Sequence, residues 1–128
     1  MSEREEIRVP SLAEPISHYT DAVRADNLLF VSGCVPVDGA GALVPGDIVA
    51  QARQTFANVE AVLVAAGASF GDVVKVTVFL TDVDDRAAVN TVRQEVFGTA
   101  RPASTLVEVS RLAIPGARIE VEAVALLP

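Results

Sequence analysis

The stretch Asp72–Asp82, DVVKVTVFLTD, constrains the fold more than any other part of the chain. Its residues alternate, with Val74, Val76, Val78 and Leu80 on one face and Lys75, Thr77, Phe79 and Thr81 on the other. A period of two with β-branched residues predicts a strand with one face to bury. On either side the period changes. Upstream, IVAQARQTFANVEAVLVAAG puts Ile48, Ala52, Phe56, Val59, Leu63 and Ala66 on one helical stripe, with Gln51, Arg53, Gln54 and Asn58 off it. Asp47 suits the cap of that helix, where its carboxylate can accept from a free first-turn N–H, and Gly67 suits its end. Downstream, a second helix is predicted over roughly Asp84–Phe97, opened by paired aspartates at the positive end of its dipole. A strand between two helices calls for a sheet that carries helices.

The remaining segments supply more strands. IRVP predicts a short strand in an N-terminal arm over residues 1–16 that Pro10 and Pro15 interrupt. YTDAVRADNLLFVSG, Tyr19–Gly33, predicts a hairpin turning at Ala25-Asp26-Asn27. VPVDGAGALVPGD is a loop, and STLVEVSRL and RIEVEAVALL are strands joined by an AIPGA turn. The order β-β-β-α-β-α-β-β implies an α+β fold: a mixed sheet with right-handed crossovers and both helices packed on one face. Val, Phe and Thr on the other face would have no helix over them, so a partner subunit's sheet is the expected cover. Residues 1–128 suit a single domain able to bury a core without disulfides or metals.

Composition narrows the function. A net charge of −7, with basic residues scattered singly, argues against nucleic acid as a partner. The charged start MSEREEIRV has no apolar core of a signal peptide, and there is no long apolar run to span a membrane. The lone cysteine, Cys34, precludes an internal disulfide and fits the cytoplasm. No phosphate-binding glycine loop, nucleophile elbow or paired Cys/His at metal spacing occurs, and no metal is expected.

Four residues carry chemistry worth weighing. Glu120 and Glu122 share one face of the last strand, opposite Ile119, Val121 and Ala123. They are either a solvated face or a carboxylate set in a dry inter-subunit cleft for acid–base work. Cys34, at a strand end, is a small buried hydrophobe unless a cation makes it a thiolate. His18, the only histidine, suits a surface or interface position.

VSGCVPV, QARQTFANVEAVLVAAGASFGDVVKVTVFLTDVDD, VN, RPASTLVEV and IEVEAVA together resemble the Rid/YjgF family of reactive-intermediate (imine/enamine) deaminases, also labelled endoribonuclease L-PSP. The likeness runs from about Tyr19 to Ala125. It implies a chorismate-mutase-like α+β fold, a homotrimer with inter-subunit clefts, and cofactor-free hydrolysis of 2-imino acids to 2-oxo acids and ammonia. It also implies Glu120 as the residue that positions or activates water, with Tyr19, Ser32 and Asn90 in the same cleft.

The resemblance fails at the expected pocket. The family's Pro-Ala-Arg, whose arginine clamps the substrate carboxylate, is here Pro102-Ala103-Ser104, and Arg101 lies on the far side of the proline. Cys34 stands where the family usually has glutamine, Ser17-His18 where it often has Gly-Pro, and Leu106 where a cysteine is common. A bidentate charge-assisted pair contributes about 3 kcal/mol to carboxylate binding, so weak or no activity on 2-imino acids is expected. A neutral or cationic imine would fit better, with Ser104, Ser32, Tyr19, Cys34 and His18 as ligand contacts. The alternative is a non-catalytic trimer that binds a small molecule or another protein.

Overall fold

The alternation in Asp72–Asp82 forms an inner strand in a computed structural model that describes residues 3–128. The elements are β1 (Arg4–Ile7), β2 (Ala22–Ala25), β3 (Leu28–Cys34), α1 (Ile48–Ala65), β4 (Val73–Leu80), α2 (Arg86–Phe97), β5 (Ala103–Glu108) and β6 (Ile119–Leu126). One six-stranded sheet runs β1-β2-β3-β6-β4-β5. β4 and β5 pair in parallel through the α2 connection, and the other pairs are antiparallel. This is the expected α+β arrangement with a mixed sheet and two helices.

The core lies between that sheet and the helices. Val76, Val78 and Leu80 of β4 and Ile119 and Val121 of β6 are buried with Phe56, Val59 and Leu63 of α1 and Val89 and Val92 of α2. Phe97 packs edge to face on Phe56 and Phe70, which are tilted against each other, with centroids 5.1–6.4 Å apart. Asp47 caps α1, its carboxylate accepting from the Ala50 N–H at 3.0 Å, and Gly67 takes a φ of +79° just past the helix end. The other sheet face lies open in this chain: Phe30, Val107 and Leu126 are 45%, 39% and 46% exposed.

Several boundaries differ from the sequence expectation, each for a local reason. The first strand is Arg4–Ile7 and not IRVP, because the Val9 N–H donates to the Asp21 carboxylate at 2.7 Å. β5 stops at Glu108 and does not reach Leu112, since the Glu108 carboxylate turns to accept from the Val83 N–H at 2.9 Å. α2 starts at Arg86; Asp85 makes no capping bond and instead takes Arg118 Nη2 at 2.8 and 2.9 Å. Val74 faces out and Val73 in, because the ladder to β6 shifts register between Val73 and Lys75.

Gln51 and Asn58, placed off the apolar stripe of α1, are in fact buried. Gln51 donates to Gly116 O at 3.1 Å and accepts from the Arg118 N–H at 2.8 Å. Asn58 Nδ2 donates to Val35 O and Val37 O at 2.9 and 3.0 Å. Both amides are satisfied by loop backbone, which is why polar residues can face inward here. They fasten the loops after β3 and before β6 to the helix, and those loops border the site.

Candidate functional site

The C-terminal end of β3, away from the hairpin turn, and the facing part of β6 open into a cavity of about 410 Å³. Its lining includes Tyr19, Asp21, Ser32, Gly33, Cys34, Asn58 and Glu120, with Leu12–Ile16 of the N-terminal arm and Ala113 and Ile114 at its edges. A bulge builds its floor. Val31 pairs with Ala123 and Cys34 with Val121, so Ser32 and Gly33 together face the single residue Glu122. Bulges of this kind bend a strand and re-aim side chains next to sites. Glu120 packs over Gly33 so closely that a Cβ there would lie 2.9 Å from its Cδ. Only glycine leaves that room.

Three carboxylates line this cavity: Glu14, ion-paired with Arg8 at 3.3 Å, and Asp21 and Glu120, which stand in different states. Asp21 is buried and bound by Arg8 Nη1 at 2.6 Å, which also donates to Val9 O, while Arg8 Nη2 donates to Leu12 O at 2.9 Å. The pair ties the arm over the cavity and neutralises Asp21. Glu120 has no ion-pair partner among the described residues. Burial first, and the like charge of Glu122 second, push its pKa above the usual carboxylate value. A desolvated, unpaired carboxylate beside a neutralised one is the arrangement that supports proton transfer.

The neighbours have defined hydrogen-bond capacity. Ser32 Oγ donates to Thr20 O at 2.6 Å, so toward the cavity it can only accept. The Tyr19 hydroxyl accepts from the Ile16 N–H at 3.4 Å, and its proton is free to donate. Burial, then Asp21 and Glu120, push the Cys34 thiol up to about 12. It is a thiol at neutral pH and no nucleophile.

Of the residues expected at a site, Tyr19, Ser32, Cys34 and Glu120 come together here. His18 is exposed between the lining residues Ser17 and Tyr19 but does not line the cavity. Asn90 and Ser104 lie elsewhere, on α2 and on the edge strand β5. Phe79 pairs with both Glu120 and Val107, which sets Glu120 level with Val107. Ser104 is therefore two strands away and three residues along, about 10 Å in each direction. It also points to the opposite face, beside buried Val76. Within one chain the two groups do not converge.

Three residues around these groups carried no signal recognised from the sequence. Asp21 and Asn58 border the cavity, and Arg93 donates from Nη2 to Ser104 Oγ at 2.8 Å. Gln51 and Asn58 stand seven apart, two helical turns on one face, and that spacing could have revealed them. Arg93 follows Asn90 by three residues and so shares its face of α2. No helix among the described residues is long and apolar enough to cross a membrane.

Known proteins share this architecture. A family model described as Endoribonuclease L-PSP matches residues 10–127. A RutC family protein of Pyrococcus horikoshii is 46% identical over 123 residues, covering 95% of this chain and 97% of its own. The 2-iminobutanoate/2-iminopropanoate deaminase of Escherichia coli is 42% identical over 113 residues, covering 86% and 88%. The crystal structure of E. coli TdcF with bound serine matches with a TM-score of 0.89 at 35% identity, covering 97% and 99%. The sheet order, the helix placement and these matches agree: the chain belongs to the Rid/YjgF family, whose family model is described as Endoribonuclease L-PSP.

Proposed function

We propose that the protein hydrolyses a small imine or enamine metabolite in the cytoplasm, without a cofactor, in clefts between the subunits of a homotrimer. The observation that carries this reading is Glu120: half-buried, unpaired, with a raised pKa, and facing a cavity of metabolite size. Its carboxylate accepts a proton from water as the water oxygen bonds to the imine carbon. That proton passes to nitrogen to give a carbinolamine. The added hydroxyl then gives up its own proton, relayed by the same carboxylate to nitrogen, as the C–N bond breaks and ammonia leaves an oxo product. Tyr19 can donate to the ligand and Ser32 can accept from it, while Cys34 packs as a neutral thiol and His18 stands at the rim.

Asn90 and Ser104 enter the same cleft from a second copy. Two features support this: the open sheet face with exposed Phe30, Val107 and Leu126, and β5 lying exposed as an edge strand. Residues 1–128 act as one domain in each subunit.

Ser104 carries no charge, and about 3 kcal/mol of lost carboxylate binding corresponds to roughly a hundredfold in kcat/KM. The rate on 2-imino acids should accordingly lie well below that of the E. coli relative named for them. The test is hydrolysis of 2-iminobutanoate, generated in situ by an amino-acid oxidase. The native protein should accelerate it weakly and Glu120→Gln should fall to near the background rate, as loss of an acid–base group removes about 10²-fold or more. A native protein with no acceleration on this or a neutral imine would favour the non-catalytic binding trimer.

A further inference from the structure

A guanidinium stands at the position where strand residue 104 carries none of its own. Arg93 reaches from α2 to β5, and its Nη2 donates to Ser104 Oγ at 2.8 Å. Arg8, Arg53 and Arg118 each hold a carboxylate, at 2.6, 3.0 and 2.8 Å. Arg93 has no carboxylate within 4 Å among the described residues, and Glu95, on its own helix, is taken by Arg53. Burial disfavours its charge and lowers its pKa, with no anion there to offset the cost. A partly desolvated cation without a counter-charge is an incomplete ion pair.

The hydrogen-bond directions show what completes it. Ser104 accepts from Arg93, which leaves its own O–H free to donate. The remaining guanidinium N–H groups have no partner among the described residues. A carboxylate set beside the pair meets a hydroxyl proton and a guanidinium edge together, and charge-assisted bonds of this kind are the strong ones. Asn90 adds an amide from one turn earlier on the same face of α2.

We propose that Arg93, steadied by Ser104, is the acid-binding group of the cleft and takes the carboxylate of the ligand. This rests on the reading of the cleft as an imine-hydrolysing site and assigns its acid recognition to a side chain of α2 in place of one on the strand. It corrects the expectation of a neutral or cationic ligand, which assumed no cation near Ser104. The charge arrives from the helix and spends one N–H on Ser104, so acid recognition persists in a weaker form than a strand-borne arginine would give.

The experiment is an NMR titration of the full chain with 2-oxobutanoate, a stable product-type acid, and with 2-butanone, which has the same carbonyl without the carboxylate. The native protein should bind the acid roughly tenfold or more tightly than the ketone. Arg93→Gln should bind the two alike, and Arg93→Lys, which keeps the charge without the fork, should fall between. Equal binding by the native protein, or a preference that survives in Arg93→Gln, overturns the proposal. The readout needs no turnover: Glu120→Gln should keep the acid preference even with hydrolysis lost. Hydrolysis without acid preference would sink Arg93 alone, and acid preference without hydrolysis would sink the enzymatic reading alone.

Discussion

Glu120 is the residue on which the account turns, and its environment gives a stability signature as well as a catalytic one. Burial and the charge of Glu122 make the carboxyl hold its proton more tightly folded than unfolded. The folded state therefore binds more protons, and stability falls as pH rises from the ordinary carboxylate value through the raised folded one. Above that window the penalty is fully present. Glu120→Gln carries no such penalty, so its urea midpoint should exceed that of the native protein at pH 7, with the gap shrinking toward pH 4. Equal midpoints at pH 7 would mean that the carboxylate is as well solvated folded as unfolded. Spacing alone could not separate Glu120 from Glu122, because both share a strand face; only the resemblance, and then burial against Gly33, distinguishes them. Arg93 was illegible for another reason. Its partner Ser104 is eleven positions away on a different element, and nothing local in the sequence shows a helix side chain reaching an edge strand.

The bulge in β3 is the element that aims the Glu120 carboxylate. Ser32 and Gly33 together oppose one residue of β6, and the missing Cβ at Gly33 is where Glu120 folds down. Gly33→Ala would crowd the flexible end of the glutamate and not the backbone, so the carboxyl should swing away while the fold persists. The expected result is about a tenfold or larger fall in kcat with an unchanged thermal midpoint; full activity would show that Glu120 is not held by this contact. Elements with a strong period were legible from the sequence. α1 and β4 were bounded to within a few residues because each has a core face to bury. β1 and β5 were misplaced because side-chain bonds set their ends, Asp21 to the Val9 N–H and Glu108 to the Val83 N–H. The inward Gln51 and Asn58 escaped a hydrophobic stripe for the same kind of reason: they are buried to hold loop backbone, and not for their apolarity.

At the scale of the molecule, the proposed site falls into two halves on surfaces that cannot meet within one chain. One half is the cavity with Tyr19, Ser32 and Glu120; the other is Asn90, Arg93 and Ser104 on the far edge. The uncovered sheet face was readable from alternation, but which copy's edge completes which cavity was not, since a sequence carries no inter-subunit register. A trimer would have a mass of about 40 kDa, three times the 13.4 kDa chain. The most direct test of the central claim, a Glu120-driven hydrolytic site shared between copies, is complementation. Glu120→Gln disables the cavity half, and Ser104→Glu sets a carboxylate that takes Arg93 for itself and so blocks the other half. Each variant alone should be near the background rate of imine hydrolysis. Unfolded together in equal amounts and refolded, they should recover about one quarter of the native rate, the fraction of clefts that draw both intact halves from different chains. A mixture no more active than its two parents would contradict the account.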